Sequence, residues 1–182
     1  KEVPFFDPTC RFSFEYPENW TIAPRIRPWE EAGPVDTCAL SLSKLIQEER
    51  TGSWGASPAL YAYVHIDFNF NGNPKGYSVL WYDKACEKKF LQLRDEESLQ
   101  AANAYKDKHC PEVEVKTLDE LRALIGEPTR EVMWGLKGLV YEGKKSSTFY
   151  GEQEGRIVKI LFSLDGESIV KSFRFSDRSL AQ

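Results

Sequence analysis

Phe12-Ser13-Phe14-Glu15-Tyr16-Pro17-Glu18-Asn19-Trp20 is the stretch on which the fold reading turns. Phe12, Phe14 and Tyr16 alternate with Ser13 and Glu15, the period of two that marks a strand with one buried face. Pro17 has no backbone N–H and holds Tyr16 in extended geometry, so the ladder ends or turns there. Trp20 and Ile22 then resume the apolar rhythm. A strand, a proline corner and a returning tryptophan predict the first edge of a sheet-based core. The stretch itself carries no chemistry.

Upstream, Pro4, Asp7 and Pro8 make residues 1–9 read as an irregular lead-in. Downstream, three prolines and Gly33 make Pro24 to Pro34 a connecting loop. Cys38, Leu40 and Leu42 alternate with Ser41 and Ser43, which predicts a strand over Thr37 to Leu45. Gln47 to Pro58 reads as an exposed, flexible loop around Gly52-Ser53-Trp54-Gly55. Trp54 there either folds back as a plug or stands out to meet a ligand. Leu60 to Phe70 is the clearest strand. Ala62, Val64, Ile66, Phe68 and Phe70 share one face, and Tyr61, Tyr63, His65, Asp67 and Asn69 share the other.

Tyr77 to Tyr82 is a short apolar run open to either strand or helix. Glu87 to His109 has helical spacing, with Ser98 as the cap of its later part. Val113 and Val115 predict a short strand. Thr117-Leu118-Asp119-Glu120 is a capping box for a helix to Ile125, stopped by Gly126 and Pro128. Leu136 to Tyr150 and Arg156 to Leu164 read as two strands of a hairpin turning at Gly151 to Gly155. Glu167 to Lys171 reads as a helical turn, with Ser172 to Phe175 closing the chain.

A chain of 182 residues with 41% hydrophobic and 13% aromatic content fits a single domain, 1–182, with a sizeable core. The net charge of -4, with both signs interspersed, offers no basic field for nucleic acid. No apolar run approaches the roughly 20 residues needed to span a bilayer. Cys10, Cys38, Cys86 and Cys110 are even in number and never form a CxxC pair. Two disulfides, and with them a secreted or periplasmic location, are therefore the expectation, set against four buried thiols in a reducing compartment. Of the three pairings that four cysteines permit, Cys10 with Cys38 and Cys86 with Cys110 each bracket one local unit. A start at Lys1 suits a mature chain after signal removal, with a lipid anchor on the precursor compatible, and equally suits a trimmed domain.

Nucleophile elbows, phosphate loops, dinucleotide fingerprints and HExxH are all missing from the sequence. His65 and Asp67, two apart on one strand face beside Tyr61 and Tyr63, form the one enzyme-like grouping, a candidate general base or metal ligand. The plainer alternative is a polar strand face under a helix or against solvent. Tyr61, Tyr63, His65, Asp67 and Trp54 are the candidate ligand-binding residues. No cofactor and no metal are expected.

Phe12, Phe14, Pro17 and Trp20, as F-x-F-x-x-P-x-x-W, resemble the first strand of the PsbP-like superfamily, and the closing hairpin, short helix and Ser172-Phe173 resemble its C-terminal end. That superfamily includes extrinsic subunits of photosystem II, a nuclear import factor that binds the Ran GTPase, and many bacterial proteins of unknown function. The resemblance spans roughly residues 10–176 and implies an α+β fold, an α/β/α sandwich around a central, mostly antiparallel sheet. It also implies a monomeric, non-enzymatic binding or accessory protein with an unknown protein partner or small ligand. None of the family's binding residues maps onto this sequence. A carbohydrate or small-ligand module using Trp54, Tyr61 and Tyr63, and a small hydrolase or metal enzyme using His65 and Asp67, are the alternatives.

Overall fold

The computed structural model describes residues 1–8, 10–24, 40–52, 55–57, 59–67, 79–81, 84–110 and 113–176. Its strands are β1 (Glu2–Asp7), β2 (Phe12–Pro17), β3 (Thr21–Pro24), β4 (Leu40–Gln47), β5 (Arg50–Gly52), β6 (Gly55–Ser57), β7 (Leu60–Asp67) and β8 (Val79–Trp81). After helices α1 (Lys84–Glu96) and α2 (Leu99–His109) come β9 (Val113–Val115), α3 (Leu118–Ile125), β10 (Arg130–Met133), β11 (Lys137–Glu142), β12 (Ser147–Gln153) and β13 (Arg156–Phe162). A 3-10 turn, α4 (Glu167–Ser172) and β14 (Arg174–Phe175) complete the described chain. The fold is α+β. Its centre is a seven-stranded sheet in the order β10-β11-β12-β13-β7-β4-β3, in which every described pairing is antiparallel.

The opening strand takes a different place from the one its pattern predicts. β2 is the middle of a separate three-stranded sheet, β1-β2-β14, and the edge of the large sheet is β3, after the proline corner. Residues 1–9 are not an irregular lead-in, because Glu2–Asp7 pairs with Pro17–Phe12 along its whole length. Pro4 is tolerated because β1 is an edge strand, where a missing N–H interrupts no second ladder. Val3 and Phe5 alternate with Glu2 and Pro4, a pattern the prolines obscure.

The main core fills the space between the two sheets. Phe12 and Phe14 from β2, Leu40 and Leu42 from β4, and Ala62, Val64 and Ile66 from β7 meet Val140, Phe149, Val158, Ile160 and Phe162 there. Ile169, Val170 and Phe173 from α4 close the same layer. The even-numbered face of β7 is thus core, as alternation predicts, with Phe68 and Phe70 outside the described residues. Each such fully buried side chain stabilises by about 1.5–3 kcal/mol relative to exposure. Gly138 and Gly151 are cross-strand partners, and the Phe149 ring occupies the space where either Cβ would stand. Trp134 stacks on the outer side of that ring at 5.4 Å.

A second core lies on the opposite sheet face. Leu118 and Leu121 of α3, with Val115 of β9, cover Leu139, Tyr150 and Ile157. Half of the capping box forms as expected, with Thr117 Oγ1 accepting the Glu120 N–H, while Glu120 reaches one residue before the cap and accepts the N–H of Lys116. A strand side chain adds to it, since Glu152 of β12 accepts the Leu118 N–H at 2.8 Å and so ties the helix start to the sheet. Negative charge at that end also suits the helix dipole.

Two further segments differ from their sequence reading. The expected loop at 47–58 contains a short hairpin, β5 with β6, with its Ser53 and Trp54 outside the described residues. Leu136 to Tyr150 is two strands, because the chain reverses at Gly143, whose N–H is accepted by the Ser146 carbonyl. The following turn is as predicted, though tighter. Glu154 and Gly155 both have positive φ, 51° and 75°, which a two-residue hairpin requires. The helical region 87–109 divides at Ser98, whose hydroxyl accepts the Ala101 N–H. Cys86 and Cys110 are disulfide-bonded with Cα atoms 5.7 Å apart, so the helix pair is closed at its base. Closing a loop of 24 residues contributes about 3.5 kcal/mol in the chain-entropy treatment. Cys10 is also disulfide-bonded, and Cys38 lies outside the described residues.

Candidate functional site

Register decides what the polar face of β7 meets. His65 stands opposite Ser41 on β4 and Leu161 on β13, Tyr63 opposite Ser43, and Tyr61 opposite Leu45. Since side chains alternate, all of these lie on the face that α3 covers further along the sheet. Leu139, Tyr150 and Ile157 are buried under the helix, whereas Ser41, Ser43, Tyr63, His65 and Leu161 are only half-buried. Tyr61 is 51% exposed.

Within this strip the side chains are ordered by each other. Ser41 Oγ and His65 Nδ1 share a hydrogen bond of 2.8 Å across the strand pair. The Tyr63 ring stacks on the imidazole at 5.0 Å and 23°. Just beyond β13, Ser163 continues its path and fixes the strand itself. Its hydroxyl accepts the Tyr63 N–H at 3.0 Å, and its own N–H donates to the Tyr63 carbonyl at 3.0 Å. The β4–β7 pairing also slips at Leu45/Gln47, and Leu45, Ile46, Leu60 and Tyr61, at that end of the sheet, are each about half exposed. The result is an aromatic–imidazole–hydroxyl strip running into an exposed apolar corner.

The structure brings together three of the expected residues, Tyr61, Tyr63 and His65. Asp67 is opposite Lys159 in register, but its side chain is not described, and Trp54 lies outside the described residues. The described hydrogen-bond partner of the imidazole is a serine from the next strand, which the His65–Asp67 reading did not foresee. Its signal was available. Ser41 and Ser43 are the polar alternates of the predicted strand, and an antiparallel neighbour places one of them beside His65.

A hydroxyl held by an imidazole has the make-up of a nucleophile and its base. It is equally a recognition pair, with Tyr61 and Tyr63 supplying flat area tipped by hydroxyl groups. Among the described residues no group of three or more His, Cys, Asp or Glu side chains could hold a metal ion. Among the described residues no helix is long and apolar enough to cross a membrane. His109 ends α2, with its ring 4.9 Å from that of Tyr105, far in sequence and element from His65. The buried Tyr150 phenol, whose pKa burial raises, lies under α3 and belongs to the second core. No protein-family model, no curated protein and no solved structure matches the chain.

Proposed function

We propose that this is a secreted or periplasmic, non-enzymatic binding or accessory protein whose recognition surface is the half-covered sheet face around Ser41, Tyr61, Tyr63 and His65. The observation that carries the reading is the change of character along one sheet face, from apolar under α3 to aromatic and hydrogen-bonding beyond it. A face meant for packing would continue apolar, since each buried polar group left unpaired costs about 1–3 kcal/mol. The Cys86–Cys110 disulfide supports the oxidising compartment. Kinship with the PsbP-like proteins is part of the proposal, supported by the opening motif and by a closing hairpin followed by a short helix, and it favours binding over catalysis.

The test is a thermal-shift screen of soluble glycans and amphiphiles, because a ligand of the native state alone raises the melting temperature. A hit that Tyr63→Ala/His65→Ala abolishes, in a variant that keeps its fold, supports the reading. A hit that the double variant binds unchanged contradicts it.

The 2.8 Å Ser41–His65 contact favours one second reading, a hydrolase with Ser41 as nucleophile and His65 as base. Covalent labelling of Ser41 by a fluorophosphonate, lost in His65→Ala, would establish it and displace the first.

A further inference from the structure

Asn19-Trp20-Thr21 is the one N-x-S/T triplet of the chain, since Asn69, Asn71, Asn73 and Asn103 lack a hydroxyl residue two places on. Such a triplet accepts an N-linked glycan where it lies on the surface of an exported protein. As a pattern it is short and recurs by chance, so its placement decides. The proline corner places it at the tip of a turn. Pro17, Glu18, Asn19 and Trp20 form that turn, closed by the Trp20 N–H donating to the Pro17 carbonyl at 2.9 Å. The Glu18 N–H also donates to the Lys1 carbonyl at 3.0 Å, which ties the turn to the start of β1.

The three side chains of the triplet divide cleanly. Trp20 is 6% exposed and belongs to the main core, whereas Asn19 before it and Thr21 after it are both exposed. Burying the middle residue thus leaves in solvent the two groups that the chemistry uses. Among the described residues no hydrogen bond holds the Asn19 amide. A glycan on it leaves the turn without displacing a packed side chain. Thr21 is paired with Ser43 at the start of β3, so the folded triplet is fixed in a turn and a strand. Transfer to it therefore precedes folding, and the finished fold then accommodates the sugar.

We infer that Asn19 is a site of N-linked glycosylation, with a polyprenyl-pyrophosphate-linked oligosaccharide as the donor. Asn19 Nδ2 bonds to the anomeric carbon of the first sugar, and the bond from that carbon to the pyrophosphate oxygen breaks. The polyprenyl pyrophosphate leaves with the electron pair, and the amide nitrogen releases one proton. The inference rests on the export proposed above, for which the Cys86–Cys110 disulfide is the structural support.

The experiment is translation of the full chain, fused to a cleavable signal sequence, in the presence of microsomes. The expected result is a single mobility shift in the protease-protected chain, removed by peptide N-glycosidase with conversion of Asn19 to Asp. Asn19→Gln and Thr21→Val should each abolish the shift, and Thr21→Ser should retain it. Because the signal sequence supplies the compartment, a failure here counts against Asn19 and leaves the proposed location to be judged separately. The same reading is made without uptake, by offering the reduced, unfolded full chain to solubilised oligosaccharyltransferase and its lipid-linked donor. No glycan on the protected chain or in the solubilised reaction, a shift that survives Asn19→Gln, or a modified chain that no longer folds would each overturn the inference.

Discussion

Two halves of one sheet face can be set side by side. Across β11, β12 and β13 the face presents Leu139, Tyr150 and Ile157, and α3 buries all three. Across β4 and β7 it presents Ser41, Ser43, Tyr61, Tyr63 and His65, which stay half-buried or exposed. Both halves are antiparallel pairings of one sheet, so the difference lies chiefly in the side chains and in what each half must meet. The first half is solved by packing. The second is organised by hydrogen bonding and ring stacking, which cost less stability to lose and leave atoms able to bond elsewhere.

The largest expected effect comes from the covered half. Ile157→Ala removes a fully buried side chain and should destabilise by about 2–5 kcal/mol, read as a lower denaturation midpoint at constant slope. A loss under about 1 kcal/mol would erase the distinction between the halves. Glu152→Ala should be intermediate, about 1–2 kcal/mol, because it removes the acceptor at the Leu118 N–H and with it the tie between α3 and β12. Hydrogen exchange would then rise in α3 before the sheet; uniform acceleration would show that the tie is not local.

No larger is the effect expected in the open half. Tyr63→Ala/His65→Ala gives up the described stacking contact and the Ser41 hydrogen bond, together about 1–2 kcal/mol. Tyr61→Ser, at a side chain half in solvent, should fall within about 0.5 kcal/mol of the parent.

A pH effect marks a third place, the outer side of Trp134. Phe149 takes one side of the indole, and the Arg130 and Lys171 cations lie 5.6 and 5.4 Å from its centre. Glu167 accepts from Lys171 at 2.9 Å and from Arg130 at 3.4 Å. The Lys171 hydrogen bond, above all, holds the Glu167 carboxyl below its usual range. A depressed folded-state pKa contributes stability at pH values above the ordinary carboxylate value of 4.5, and that contribution fades as pH falls through the folded value. Glu167→Gln should therefore flatten the acid limb of the stability profile and leave the neutral region nearly parallel to the parent. Unchanged acid sensitivity in the variant would assign the limb to other carboxylates.

Much of the architecture was legible because alternation is a local signal. The buried set Ala62, Val64, Ile66, the Ser98 and Thr117 caps and the Glu154-Gly155 turn were readable from a few neighbouring residues. Partnership was not. Nothing local says that β2 leaves the main sheet to pair with β1 and β14, or that Glu152 caps a helix 34 residues away. The candidate site shows the same division. Tyr61, Tyr63 and His65 were visible as one polar face, while Ser41 joined them only through register. The Ser172 hydroxyl that holds the Glu15 backbone bonds across 157 residues, a tie beyond any pattern in the sequence.

The account's central claim is that the open half of the sheet face recognises a ligand and does not hold the fold together. One measurement addresses it most directly, the melting temperature of Tyr63→Ala/His65→Ala with and without a ligand found on the parent. The account predicts a free protein only slightly less stable than the parent, by about 1–2 kcal/mol, and no ligand-induced rise. A loss comparable to Ile157→Ala, or a ligand-induced rise equal to the parent's, would contradict it.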